Sequence, residues 1–287
     1  MRGNWPSLTA MAVAFGRGLG TSERDVDPHA GQLLPAPLSR ALAAGRQRAA
    51  RTVLRGLTLG MVDHVCLRTA AIDDAVREAV VLGAQQLVVL GAGLDARAWR
   101  LPELAEVEVF EVDHPSTQVG KRERTASLSP LAAAVHFVAV DFERQRVAQR
   151  LAEHGHDAAR PTAWIWEGVT PYLQPPAITA TLDDVGARSA AGSTLMMTYA
   201  VPQLVLLPIP GARAITQLAF RGLGEALHGA MAPADAAAAV RRVGFEPLRD
   251  GDARDWALRA EGSAALARPF RGERLLVARR RDGATAS

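Results

Sequence analysis

Apolar positions along this chain follow two rhythms. Up to about residue 84 they recur three and four apart, as in 38–42 and the long run 62–82, which is the spacing of one helix face. From residue 85 onward, short β-branched and aliphatic runs alternate with helical segments. The runs predict strands over 86–90, 107–112, 135–140, 163–166 and 194–198, separated by helices over 116–127, 143–154 and 176–190. A helix over 233–243 then precedes two more strand-like stretches, 244–248 and 274–278, and a polar tail. Strand and helix in alternation make βαβ units, so the expected fold class is α/β, a mostly parallel sheet with helices on both faces. No repeat or linker divides the chain. Residues 1–84 therefore read as a helical cap of the same domain whose core spans 85–287.

Composition narrows the classes further. With 48% of 287 residues hydrophobic, a substantial core is available. Cys66 is the sole cysteine, which excludes an intramolecular disulfide and points to a reducing, cytoplasmic setting. The net charge is +3, Lys121 is the only lysine, and the arginines are dispersed apart from Arg279-Arg280-Arg281, which reads as a solvated tail. No aromatic-studded basic stripe suggests nucleic acid as a partner. The most apolar segment, 199–220, carries Pro202, Pro208, Pro210 and Arg213, which argues against a membrane span. Pro6, Ser7 and Thr9 interrupt the N-terminal stretch, so it does not read as a signal peptide.

In an open parallel sheet, ligands bind beyond the carboxyl ends of the strands. The first predicted strand runs into Gly91-Ala92-Gly93, where the lack of a Cβ lets backbone approach a ligand. Gly91-x-Gly93-x-x-Ala96 also satisfies the NAD fingerprint, and a plain structural turn would look the same. Asp113, 22 positions beyond Gly91, sits where a carboxylate can take both hydroxyls of a ribose, unless it merely begins a turn before Pro115. To this point NAD and S-adenosylmethionine fit equally. Asp141-Phe142 follows the third strand and would offer an acceptor and an apolar edge to an adenine, or simply cap the helix 143–154. Glu167 follows the fourth strand and, if buried, needs a cation. Arg68 is the natural partner, and it could also clamp a carboxylate on the cofactor. S-adenosylmethionine has such a carboxylate and NAD does not. A solvated ion pair is the plainer reading of Arg68. His154-x-His156 lies in a polar loop and reads as solvent-exposed; no metal site is expected.

Taken together, these residues resemble the leucine carboxyl methyltransferase family of class I S-adenosylmethionine-dependent methyltransferases, and more narrowly its bacterial branch, including carboxyl O-methyltransferases of polyketide biosynthesis. The resemblance begins loosely with Leu8-Thr9-Ala10, Asp27-Pro28-His29-Ala30 and Arg68-Thr69 with Asp73-Asp74. It is most specific in GAGLDARAWRL (91–101) and FEVDHP (110–115), continues through VDF (140–142) and WEGVTPYL (166–173), and closes with Gly244-Phe245. The resemblance implies a Rossmann-like, seven-stranded sheet whose final strand runs antiparallel. It implies that Arg68 clamps the methionine carboxylate, that Gly91, Ala92 and Gly93 line the cofactor's backbone path, and that Asp113 holds the ribose with His114 beside it. Asp141 and Phe142 would flank the adenine, and Glu167 would sit at the amino-acid end. Phe142 stands where leucine is more usual, and the N-terminal cofactor-contacting lysine of the eukaryotic enzymes has no counterpart.

The implied reaction is an in-line displacement at a sulfonium, yielding S-adenosylhomocysteine. A carboxylate acceptor needs no general base, whereas a phenol would need one, with a histidine or glutamate as candidate; the candidate catalytic residues are Glu167, Tyr172 and His114. The apolar residues of 200–231 fit either a lid inserted after the fifth strand, and hence a hydrophobic small-molecule acceptor, or a helix buried in the core. The rival readings are an NAD-dependent oxidoreductase and a non-catalytic S-adenosylmethionine-binding regulator.

Overall fold

The computed structural model describes residues 8–22, 26–58, 60–202, 228–259 and 272–281. Seven strands form one sheet in the order β3-β2-β1-β4-β5-β7-β6. They are β1 (Gln86–Leu90), β2 (Glu108–Asp113), β3 (Ala134–Ala139), β4 (Thr162–Trp166), β5 (Thr194–Ala200), β6 (Phe245–Gly251) and β7 (Glu273–Arg280). The first five pair in parallel; β7 lies antiparallel between β5 and β6. This is the Rossmann-like arrangement of class I methyltransferases, with the predicted antiparallel strand in place. The chain order reverses between β1 and β4, which makes their carboxyl ends the crevice of the sheet.

Both sheet faces are covered, so the central strands are apolar on both sides: every residue of β1 and β4 is buried. On one face Leu87, Val89, Ile165 and Met196 pack against α5 (Met61–Val81), the short α6 (Arg97–Arg100) and the helix Ala253–Arg259. On the other, Val88, Leu90, Trp164 and Met197 meet α8 (Val147–Glu153), α9 (Pro175–Ala187) and the helix Pro233–Arg242. Ahead of α5 come α1 (Leu8–Leu19), α2 (Ala30–Leu33), α3 (Ala36–Gly45) and α4 (Arg48–Leu57). Met11, Ala14 and Leu33 of these helices share a third apolar cluster with Leu94 and Ala96, so the helical cap packs directly on the chain that follows β1. No described helix is long and apolar enough to cross a membrane.

Two expectations need correction, and a third lies largely outside the described residues. The helix expected over 143–154 begins only at Val147, with Arg146 at its N-cap, so Asp141 does not cap it. Asp141 instead accepts from the Glu143 amide at 3.1 Å, closing a side-chain turn of the type aspartate favours. His156 is not solvent-exposed. It is 3% accessible, meets Phe110 edge-on and Trp164 at a tilt, and bonds Thr162 Oγ1 at 3.1 Å. Most of the expected lid, 203–227, lies outside the described residues. Its flanks are held at the carboxyl edge: Met231 donates to Ala200 O at 2.9 Å, and His228 to Pro171 O at 2.7 Å.

Candidate active site

The turn after β1 is stitched to the end of β2. Gly91 and Ala92 both donate to Val112 O, at 2.7 and 3.0 Å, and Gly93 donates to Asp113 Oδ2. Gly91 has φ +70°, and a Cβ there would stand 2.2 Å from Val169 Cγ2. Only glycine accommodates both the backbone angle and the approach of the β4 loop. Asp113 Oδ1 accepts from the His114 amide at 2.6 Å. Each carboxylate oxygen thus takes one N–H and retains a lone pair, which is what a vicinal diol requires. Burial raises the Asp113 carboxyl, although both N–H bonds work to lower it.

The middle of α5, the β1 turn and the adjoining ends of β4 and β7 carry a buried ionic network. Arg68 Nε donates to Glu167 Oε1 at 3.0 Å, and its Nη1 reaches both oxygens of Glu273 at 2.9 and 2.8 Å. Arg97 is 1% exposed; it donates to Glu167 Oε2 at 2.9 Å, to Asp73 at 2.7 Å and to Asp95. Arg100 holds Asp73 at 2.6 Å, and Arg17, on α1, donates to Leu94 O at 2.5 Å. Burial alone would neutralise these carboxyls, but the arginines outweigh it. Glu167 is held below its ordinary range against burial by Arg97 and Arg68, and Glu273 is held down at about 2 against burial by Arg68 and His64.

The residues singled out from sequence converge on one sheet edge: Gly91, Ala92 and Gly93 after β1, Asp113 at the end of β2, Asp141 and Phe142 beyond β3, and Glu167 beyond β4. Arg68 is buried and bound to Glu167, as the need for a cation beside Glu167 predicts; the plainer reading of a solvated pair does not hold. His114 sits at the N-cap of α7 (Pro115–Thr125), with Nδ1 2.7 Å from Ser116 Oγ and accepting from the Ser116 amide. Tyr172 is half-buried in the helical turn Thr170–Tyr172. Asp73, Asp95, Arg97 and Glu273 have no role that the sequence assigns, although Asp95 and Arg97 lie inside the most specific string. For Glu273 the sequence holds no signal, because its significance comes only from β7 lying beside β5.

A model of the leucine carboxyl methyltransferase family matches residues 10–186. The chain belongs to that family. A protein of Mycolicibacterium gilvum, provisionally named an S-adenosyl-L-methionine-dependent methyltransferase, is 36% identical over 222 residues, 73% of this chain and 70% of its own. A similarly named protein of Mycobacterium avium is 38% identical over 66% of this chain; the match spans 64%, just under two thirds, of that relative. Among solved structures, a protein of Thermobifida fusca, provisionally described as a methyltransferase, superposes with a TM-score of 0.60 over 97% of this chain and 96% of its own, at 18% identity. At that identity the likeness speaks for the fold. Family membership leaves the oxidoreductase reading of Gly91-x-Gly93-x-x-Ala96 without support.

The residues present fit an adenosyl donor of the family's kind. Asp113 keeps a lone pair on each oxygen beside a turn that admits no Cβ at Gly91, and Arg68 Nη2 carries no hydrogen bond among the described residues.

Proposed function

We propose that this protein is an S-adenosylmethionine-dependent O-methyltransferase acting on the carboxylate of a hydrophobic small molecule. The observation that carries the reading is the meeting of Arg68 and Glu167 beside the glycine turn and Asp113, in the crevice where the sheet order reverses. When bound, S-adenosylmethionine supplies the methyl group from its sulfonium. In this reading Asp113 takes the ribose diol, Arg68 takes the donor's carboxylate, and Asp141 and Phe142 flank the adenine.

The state of the candidate bases supports a carboxylate acceptor over a phenol. Two arginines hold Glu167 ionised, with both oxygens engaged, so it is a poor proton acceptor. The Nδ1 of His114 is engaged with Ser116. An acceptor already ionised at neutral pH asks neither residue for proton transfer, and catalysis then rests on positioning, which supplies roughly 7–11 kcal/mol in favourable cases. The single buried cysteine and the absence of a membrane-spanning helix among the described residues accord with a cytoplasmic setting.

Thermal denaturation with S-adenosylhomocysteine, S-adenosylmethionine and NAD tests the reading. A ligand at a hundred times its Kd adds about 2.7 kcal/mol, which raises the midpoint by roughly 5 °C for a domain of this size. We expect that rise with both adenosyl amino acids and none with NAD. A rise with NAD alone would overturn the methyl-donor reading. Incubation with labelled donor and a panel of apolar acids, phenols and peptides then tests the acceptor; labelling confined to peptides would remove the hydrophobic-acid proposal.

A further inference from the structure

Glu273 opens β7 opposite Ala200, the last residue of β5, and so stands at the same sheet edge as the glycine turn and Glu167. Both its oxygens lie on Arg68 Nη1, at 2.9 and 2.8 Å, and Oε2 is also 2.8 Å from His64 Nε2. Arg68 is thereby committed to two carboxylates of the protein itself, Glu167 on Nε and Glu273 on Nη1. Among the described residues the linked buried cluster holds five carboxylates (Asp27, Asp73, Asp95, Glu167, Glu273) on four guanidiniums (Arg17, Arg68, Arg97, Arg100), with His64 at its margin.

A donor carboxylate can reach the Nη2 of Arg68, but to engage Nη1 as well it must take the place of Glu273, and it would bring a sixth carboxylate to the four guanidiniums of this buried site. Glu167 and Asp95 are each bound to Arg97, and Asp73 to two arginines. Glu273 is the one carboxylate on Arg68 with a second partner outside the arginine cluster, namely His64. It is therefore the member that can yield at least cost.

We propose, resting on the methyl-donor reading above, that Glu273 is a placeholder for the donor's carboxylate. It occupies an edge of Arg68 in the free protein, gives way to the incoming carboxylate while keeping its bond to His64, and so sets the affinity for the amino-acid end of the donor. A site blocked for part of the time binds more weakly by the fraction of time it is open, and removing the competitor restores that fraction. The proposal makes Glu273 a positioning residue acting through Arg68.

Titration calorimetry with S-adenosylhomocysteine and 5′-methylthioadenosine tests this, because the second ligand keeps the adenosine and sulfur but lacks the amino acid. Glu273→Gln should tighten S-adenosylhomocysteine by about threefold or more, in keeping with relief of a competing state, and leave methylthioadenosine unchanged. His64→Leu removes the partner to which Glu273 retreats, and should weaken S-adenosylhomocysteine while again sparing methylthioadenosine. Should Glu273→Gln fail to fold, the His64 variant decides the matter alone. Weaker or unchanged S-adenosylhomocysteine binding in Glu273→Gln, equal changes for both ligands, or an unaltered His64→Leu would overturn the placeholder role. If the parent protein binds neither ligand, the methyl-donor reading itself fails; if it binds both and only the variants disagree, that reading stands without Glu273.

Discussion

Asp113 ties the glycine turn to β2 through the Gly93 amide, and in the proposed reading the lone pair left on each of its oxygens takes a ligand diol. Asp113→Asn preserves the shape but removes the charge that makes those bonds strong. We expect S-adenosylhomocysteine affinity to fall by roughly 30-fold or more, equivalent to about 2 kcal/mol or more, and the thermal midpoint of the free protein to fall as well, because the carboxamide leaves one of the Gly93 and His114 N–H groups without an acceptor; calorimetry beside a melting curve measures both. At this scale the sequence was informative where spacing carried the message, since Asp113 lies a fixed distance beyond Gly91. It was silent where a residue's meaning depends on a distant partner. Arg97 looks like any arginine opening a helix, yet it is the hub that joins Asp73, Asp95 and Glu167. His156, in a polar stretch, was misplaced because its enclosure depends on Phe110 from the distant β2 as well as on Trp164 from the strand that follows it.

Elements were legible where the hydrophobic period was clean. All seven strands follow from short apolar runs, and α5 from a long three-four repeat. Boundaries slipped where polar residues straddle a turn and a helix, as at 143–146 before α8. The close approach of two elements, the β1 turn and the loop after β4, follows from neither pattern. Val169 Cγ2 occupies the space a Cβ of residue 91 would fill, and the turn there has φ +70°. Gly91→Ala therefore carries a conformational cost and a steric one, each about 1–3 kcal/mol. In chemical denaturation, Val169→Ala added to Gly91→Ala should recover the steric part and leave the conformational part. A strictly additive pair would mean that the two loops are not pressed together.

Over the whole molecule, two buried titratable groups pull stability in opposite directions. His156 is pushed down to about 4, first by burial and then by Arg188, so the unfolded chain takes up its proton before the folded one as pH falls. Its contribution is complete above about pH 6.5 and is lost as pH drops through 4, about 2 kcal/mol of it between pH 7 and 5. Glu111 is raised to about 7 by burial, despite Lys121 at 2.7 Å; it takes up a proton in the folded state first and adds a similar amount over the same window. The parent protein should thus change little in urea midpoint between pH 7 and 5, His156→Gln should gain stability relative to it on acidification, and Glu111→Gln should lose it. A parent that already lost several kcal/mol by pH 5 would show that Glu111 does not offset His156. One consequence of the strand order concerns biosynthesis. β7 inserts between β5 and β6 although it is made last, and it brings Glu273 to an arginine made 205 residues earlier. Chains fold from the N-terminus as they leave the ribosome, so a nascent chain can build the glycine turn, Asp113 and the Arg68–Glu167 pair before β7 exists. For that interval Arg68 lacks Glu273, and the open edge of β5 is exposed to neighbouring chains. The donor itself, captured early, would then act as a folding ligand for the chain still being made.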